Sequence, residues 1–168
     1  SLFFNTTGFG NFAFGSNALY HNTSGSSNIG IGSGALFTNQ TGTNNVCVGN
    51  GTLTLITGSY NTALGTAAMC FNISGNNNTS VGSNALENNT ANENTAIGAG
   101  ALFTNTLGYS NTAVGFEALN LNTTGTGNVA VGIGSLLNNT TADLNTAVGS
   151  SSLRQNTGDK NTAVGAGA

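Results

Sequence analysis

Residues 111–127 read Asn-Thr-Ala-Val-Gly-Phe-Glu-Ala-Leu-Asn-Leu-Asn-Thr-Thr-Gly-Thr-Gly, and variants of this phrase recur every 16 or 17 residues along the chain. Its first asparagine, taken as position one, stands at Asn11, Asn28, Asn45, Asn61, Asn78, Asn94, Asn111, Asn128, Asn145 and Asn161. Position five is glycine each time, from Gly15 to Gly165. Position nine is leucine except where Met69 replaces it, and position twelve is asparagine except at Ile56. A period this short, sustained from end to end, marks a stack of repeated coils and not a globular core. Short β-branched or apolar stretches separated by Gly and Asn-Thr-Thr-Gly turn signals predict two strands per coil. The glycine at position five fits a turn with φ > 0. No 3.6-residue apolar stripe is sustained, and Gly, Asn and Thr are poor helix formers. The fold expected is all-β: a single-stranded parallel β-solenoid, or β-roll, of about ten coils of 16–17 residues, with residues 1–168 forming one repeat domain that reads as a slice of a longer fibre.

One coil buries too little apolar surface to offset the ordering of its backbone, so the coils must stack. Stacking sets successive strands about 4.8 Å apart, and ten coils make a rod about 45–50 Å long. It also gives each position-one asparagine identical neighbours above and below, so the ten are expected to form a hydrogen-bonded structural ladder. The coils opening at Asn45, Asn78 and Asn145 each lack one residue after position twelve, which places an exposed, deletion-tolerant loop there. The charged residues fall at variable or loop positions: Glu87, Arg154, Glu117, Glu93, Asp143, Asp159 and Lys160.

Strand alternation puts positions two and four on one face and position three on the other. With the large apolar residue of position four (Phe14, Ile31, Val48, Leu64, Val81, Ile97, Val114, Val131, Val148, Val164) turned inward, position three would face out. Yet position three is always small (Ala13, Gly30, Cys47, Ala63, Ser80 and onward), and position eight, set against Leu at nine, is small as well. Two outward columns of small residues would mark where parallel copies of the chain approach one another.

Charged residues make up only 4% of the chain and its net charge is −3. That composition excludes a nucleic-acid partner, which needs clustered Lys and Arg. No apolar run reaches the ~18 residues of a membrane span, and Ser1-Leu2-Phe3-Phe4 lacks the basic flank and cleavage pattern of a signal peptide. Cys47 and Cys70 occupy different repeat positions and read as unpaired thiols. His21 is the only histidine, at a variable position, and reads as a surface substitution. The five acids are scattered, with no pair spaced for glycoside hydrolysis and no cluster dense enough for calcium. No base accompanies the many Ser and Thr hydroxyls, and the Gly-rich phrases lead into no helix. No catalytic, metal or cofactor site is assigned, and the chain reads as non-enzymatic.

The phrases Asn-Thr-Ala-Val-Gly, Ala-Leu and Asn-Thr-Thr-Gly resemble the head repeats of YadA-like trimeric autotransporter adhesins, and more closely the Asn-Thr-Ala-Val-Gly repeats of phage and viral tail-fibre-like proteins. That resemblance implies a left-handed coil, assembly as a homotrimer, and a place on an extracellular, cell-surface or virion-surface fibre that spaces or presents an adhesive tip, with copies of itself and a host or cell-surface glycan or protein as partners. An alternative is a filament polymerising end to end, since Ser1 and Ala168 share position eight and neither end shows a polar cap. A minor alternative is ice binding by the position-two threonines, which Phe12, Ile29, Val46 and Val129 interrupt. Asn5, Asn22, Asn39, Asn72, Asn122 and Asn139 carry Ser or Thr two residues on and form possible N-glycosylation sites, provided that the position-twelve corner faces out. Aromatics at positions ten and eleven (Phe3, Phe4, Tyr20, Phe37, Phe71, Phe103) read as outer-face packing or partner contacts.

Overall fold

The computed structural model describes residues 1–168 and is a β-solenoid with no helix. It has ten three-residue strands, one per coil: β1 (Phe12–Phe14), β2 (Ile29–Ile31), β3 (Val46–Val48), β4 (Thr62–Leu64), β5 (Thr79–Val81), β6 (Thr95–Ile97), β7 (Thr112–Val114), β8 (Val129–Val131), β9 (Thr146–Val148) and β10 (Thr162–Val164). Each pairs parallel with the next in one ten-stranded sheet, and the register never slips: position two lies on position two at every step, as in Thr95↔Thr112↔Val129.

The second strand expected in each coil does not form. Coil-to-coil bonds run through that segment, as from Leu19 N to Ala35 O at 2.9 Å and from Leu102 N to Ala118 O at 3.0 Å. Its backbone is nonetheless not extended, because position nine is left-handed in every coil, with φ between 46° and 54° from Leu2 through Met69 to Leu153. A residue in that region breaks the alternation of a strand, so two consecutive side chains turn the same way. Positions eight and nine accordingly both point inward, and Ala18 with Leu19, Ala85 with Leu86 and Ala118 with Leu119 are fully buried.

The strand is also inverted relative to expectation. Position three is the inward residue: Cys47, Ala63, Ser80, Ala96, Ala113, Ala130 and Ala147 are buried, whereas Phe14, Val48, Leu64, Ile97 and Val164 of position four are exposed. The leucine of position nine is the reason. A Cβ built on Gly30 would already lie 3.5 Å from Leu19 Cγ and 3.4 Å from the Ala35 carbonyl oxygen, so a methyl group fills the space that remains. The columns at positions three and eight are small because they line a narrow interior, and the reading of them as contacts between copies does not hold. Burial pushes the Cys47 thiol well above its ordinary pKa, and both cysteines are unpaired.

Deletions fall where the bonding is most redundant. In three of the full-length coils the N–H groups of positions thirteen to fifteen converge on one carbonyl of the next coil, as Thr106, Leu107 and Gly108 do on Thr123 O at 3.0, 2.9 and 3.2 Å. A shortened coil keeps one such bond, Thr90 N to Thr106 O at 3.2 Å.

Position five has no room for a side chain. Gly98 sits at φ 134°, and a Cβ there would fall 2.4 Å from the Gly115 carbonyl oxygen. Position seven is left-handed but open, and non-glycine residues such as Ala67 (φ 55°) carry a cost of about 1–2 kcal/mol there. Two substitutions should therefore run against the usual ranking of Ala over Gly: Ala67→Gly is expected to stabilise by about 1 kcal/mol, and Gly98→Ala to destabilise by about 3 kcal/mol or more. Thermal and denaturant melts of both variants check the pair.

Candidate interaction surface and the ladders that position it

Two asparagine ladders run along the interior. In the first, the backbone N–H of each position-one asparagine donates to the side-chain Oδ1 of the one before: Asn28 to Asn11 (3.0 Å), Asn61 to Asn45 (3.0 Å), Asn94 to Asn78 (2.9 Å), Asn128 to Asn111 (2.9 Å) and so on to Asn161 on Asn145 (2.8 Å). The same side chain turns its Nδ2 across the coil to the carbonyl of position fifteen, as Asn111 does to Gly125 O at 2.8 Å and Asn28 to Gly42 O at 2.8 Å. Asn39, Asn105 and Asn122 of position twelve donate to those position-fifteen carbonyls as well (Asn122 to Gly125 O, 2.9 Å), so one carbonyl accepts two amides and ties three points of the loop. An amide supplies the donor and the acceptor that this requires on two separate atoms.

Position twelve forms the second ladder. Asn22 donates to Asn5 (2.7 Å) and Asn39 to Asn22 (2.8 Å); the run resumes from Asn72 through Asn89, Asn105, Asn122 and Asn139 to Asn156. Ile56 interrupts it. With no amide above it, Asn39 Oδ1 is the one buried side-chain polar atom left without a partner. The corner that would have to face outward for glycosylation thus faces inward: Asn22, Asn39, Asn72, Asn122 and Asn139 are fully buried. Asn5 is partly buried and already bonded through its Nδ2 to Gly8 O at 2.8 Å. A sugar on any of these nitrogens would displace a bond that closes the coil.

A third, more exposed ladder runs along position sixteen. Side-chain oxygens of position sixteen accept the backbone N–H of position sixteen one coil earlier: Ser59 from Thr43 (3.0 Å), Asn76 from Ser59 (2.8 Å), Asn92 from Asn76 (2.8 Å), Asp143 from Thr126 (2.7 Å) and Asp159 from Asp143 (2.9 Å). Phe9 and Tyr109 at the same position hide the pattern in the sequence.

Together the ladders hold each coil directly above the last and present positions two and four of β1–β10 as a regular outward face. Position four is apolar in all ten coils, and position two is Thr, Val, Ile or Phe. Phe14 is 69% exposed at one end of the rod, and Val48, Ile97 and Val148 are 38%, 41% and 37% exposed within it. The position-two threonines, taken from the sequence to point inward, point outward on this face. None of the charged residues lies on it.

The remaining candidates separate. Phe3, Tyr20 and Phe37 of position ten stack along the axis at ring spacings of 5.3 and 5.7 Å, and beside them Phe4 stacks on His21 at 5.2 Å. His21 is therefore part of an aromatic corner over the first three coils. No three His, Cys, Asp or Glu side chains gather as a metal site would require, and no helix is long and apolar enough to cross a membrane. In comparisons with known proteins, no protein-family model, no curated protein and no solved structure matches the chain.

The break at Ile56 offers a substitution whose sign is diagnostic. Asn89, in a coil of the same short length, donates to Asn72 Oδ1 at 3.2 Å and to Ala91 O at 2.7 Å. Ile56→Asn is expected to make the equivalent bonds to Asn39 Oδ1 and Gly58 O, and to raise stability by about 1–2 kcal/mol. An amide placed in an ordinary apolar core without partners costs at least about 1–3 kcal/mol, so a denaturant melt separates the two outcomes.

Proposed function

We propose that the chain is a non-enzymatic, rod-forming segment of an extracellular or virion-surface fibre or adhesin, which stands beside copies of itself and spaces or presents a binding tip. The observation that carries this reading is the direction of the bonding. Sheet, asparagine ladders and threonine bonds all run along one axis, so the hydrogen bonds resist extension and bending of a rod. The polar groups are consumed in the same way. Thr23 and Thr123 give their hydroxyls to Gln40 O and Thr140 O of the next coil (3.0 and 2.9 Å), and the interior amides bond one another or a carbonyl, so little neutral hydrogen-bonding capacity is left for a substrate. The neighbouring Asp143 and Asp159 each give a carboxylate oxygen to a backbone N–H of the coil before, the three glutamates lie at separate positions, and the location at a surface follows the sequence resemblance.

A spacer built of equivalent coils should be adjustable by whole coils. Residues 78–110 are two complete repeats, and their deletion joins Asn77 to Asn111 with every column in register. This variant is expected to remain folded by circular dichroism and to shorten by about 10 Å in solution scattering, two strand spacings. Deletion of residues 78–102 joins position seventeen to position ten and is expected to abolish cooperative unfolding. Equal behaviour of the two variants, or an unchanged length after the first deletion, would count against the rod reading.

A further inference from the structure

The fold leaves an apolar strand face at the surface. The interior takes only methyl-sized residues from the strand, so the large residues of position four stand outside in every coil, joined by Phe12, Ile29, Val46 and Val129 of position two. The largest apolar patch on a typical monomer is about 300–600 Å². Ten strands give this face a length of about 48 Å, and two columns about 7 Å apart give it a width of roughly 12 Å, on the order of 600 Å² in projection and more once side-chain relief is included. Two such faces in contact would hide about 1,200 Å², past the ~1,000 Å² expected of a specific interface.

We propose that this face is covered by the same face of a second copy of the chain, sheet against sheet, which names the contact through which copies in the fibre reading stand together. Three observations favour a copy over another occupant. The face carries no charge, so nothing on it selects a basic, acidic or phosphorylated partner. Its spacing is regular over ten in-register strands, and a second copy necessarily repeats that spacing, so ridges and grooves match along the whole rod. Its side chains are mostly Val, Ile, Leu and Thr, which interdigitate at the ~10 Å separation of stacked sheets. The threonine hydroxyls of Thr62, Thr79, Thr95 and Thr112 both donate and accept, so they can pair across the contact without a foreign group.

The test uses Val81→Lys with Val114→Lys, both in position four of the central coils, against Ser33→Lys with Ser150→Lys, which are exposed and lie off the strand face. Sedimentation of the wild-type chain across a concentration series is expected to show a closed oligomer of fixed mass. The face variant is expected to sediment as a monomer with an unchanged circular dichroism spectrum, and the control variant to associate as the wild type does. A wild-type chain that stays monomeric at the highest concentration overturns the proposal, as does association that survives both face lysines. Thermal hysteresis by a monomeric wild-type chain would overturn it too, assigning the threonine columns to ice. A monomer that still shortens by whole coils would remove this contact and leave the rod reading standing.

Discussion

The carbonyl of position fifteen accepts amides from two asparagines at once, and seven of the coils close on that arrangement. At Gly125 O the donors are Asn111 and Asn122, at 2.8 and 2.9 Å. The oxygen of Asn111 then receives the backbone N–H of Asn128, at 2.9 Å, so the group that closes one coil also seats the next. A coil of this size cannot be held by its apolar residues alone. Its interior offers one leucine and two methyl-sized side chains, and the buried amides do the rest. Buried amides are costly unless fully paired, and here nearly all are, because the neighbours that pair them are copies of themselves. The stack is thereby cooperative: a coil without a neighbour exposes its ladders and loses the partners that make them tolerable.

That constraint turns the strand inside out. With the asparagines and the leucine of position nine occupying the centre, nothing larger than alanine, serine or cysteine fits at position three, and valine or isoleucine is displaced to the surface. The left-handed leucine follows from the same shortage of space. A left-handed residue costs about 1–2 kcal/mol, but it lets positions eight and nine both face inward where an extended segment would expose one of them. The apolar outer face is thus a consequence of how the interior is filled.

The sequence makes the period, the axial asparagine column, the invariant glycine and the deletion-tolerant loop legible, because each is a property of a column and repeats with it. It does not reveal which strand face is inside. Alternation fixes that positions two and four oppose position three, but it leaves the sign free, and larger apolar residues are ordinarily the buried ones. The sign is decided by a volume, that of Leu19 beside Gly30, and no pattern along the chain reports it. The same ambiguity carried the threonines of position two to the wrong side. The hydrogen-bonding column at position sixteen is not legible in the sequence because Ser, Asn and Asp perform one task there under three names. The break at Ile56 was visible as an exception, while its consequence, the unpaired Asn39 oxygen, required the geometry.

Stability of Asn111→Asp as a function of pH addresses the amide clamp most directly. The new carboxyl would be buried and face the Gly125 carbonyl, so its folded-state pKa must lie above its unfolded value. Such a group contributes most below the unfolded pKa, where its O–H can donate in place of the amide, and that contribution is lost as pH rises through the folded pKa. The account predicts a variant destabilised by about 3 kcal/mol or more at neutral pH and partly restored near pH 4. A variant as stable as the wild type at neutral pH, or equally destabilised at both values, would contradict it.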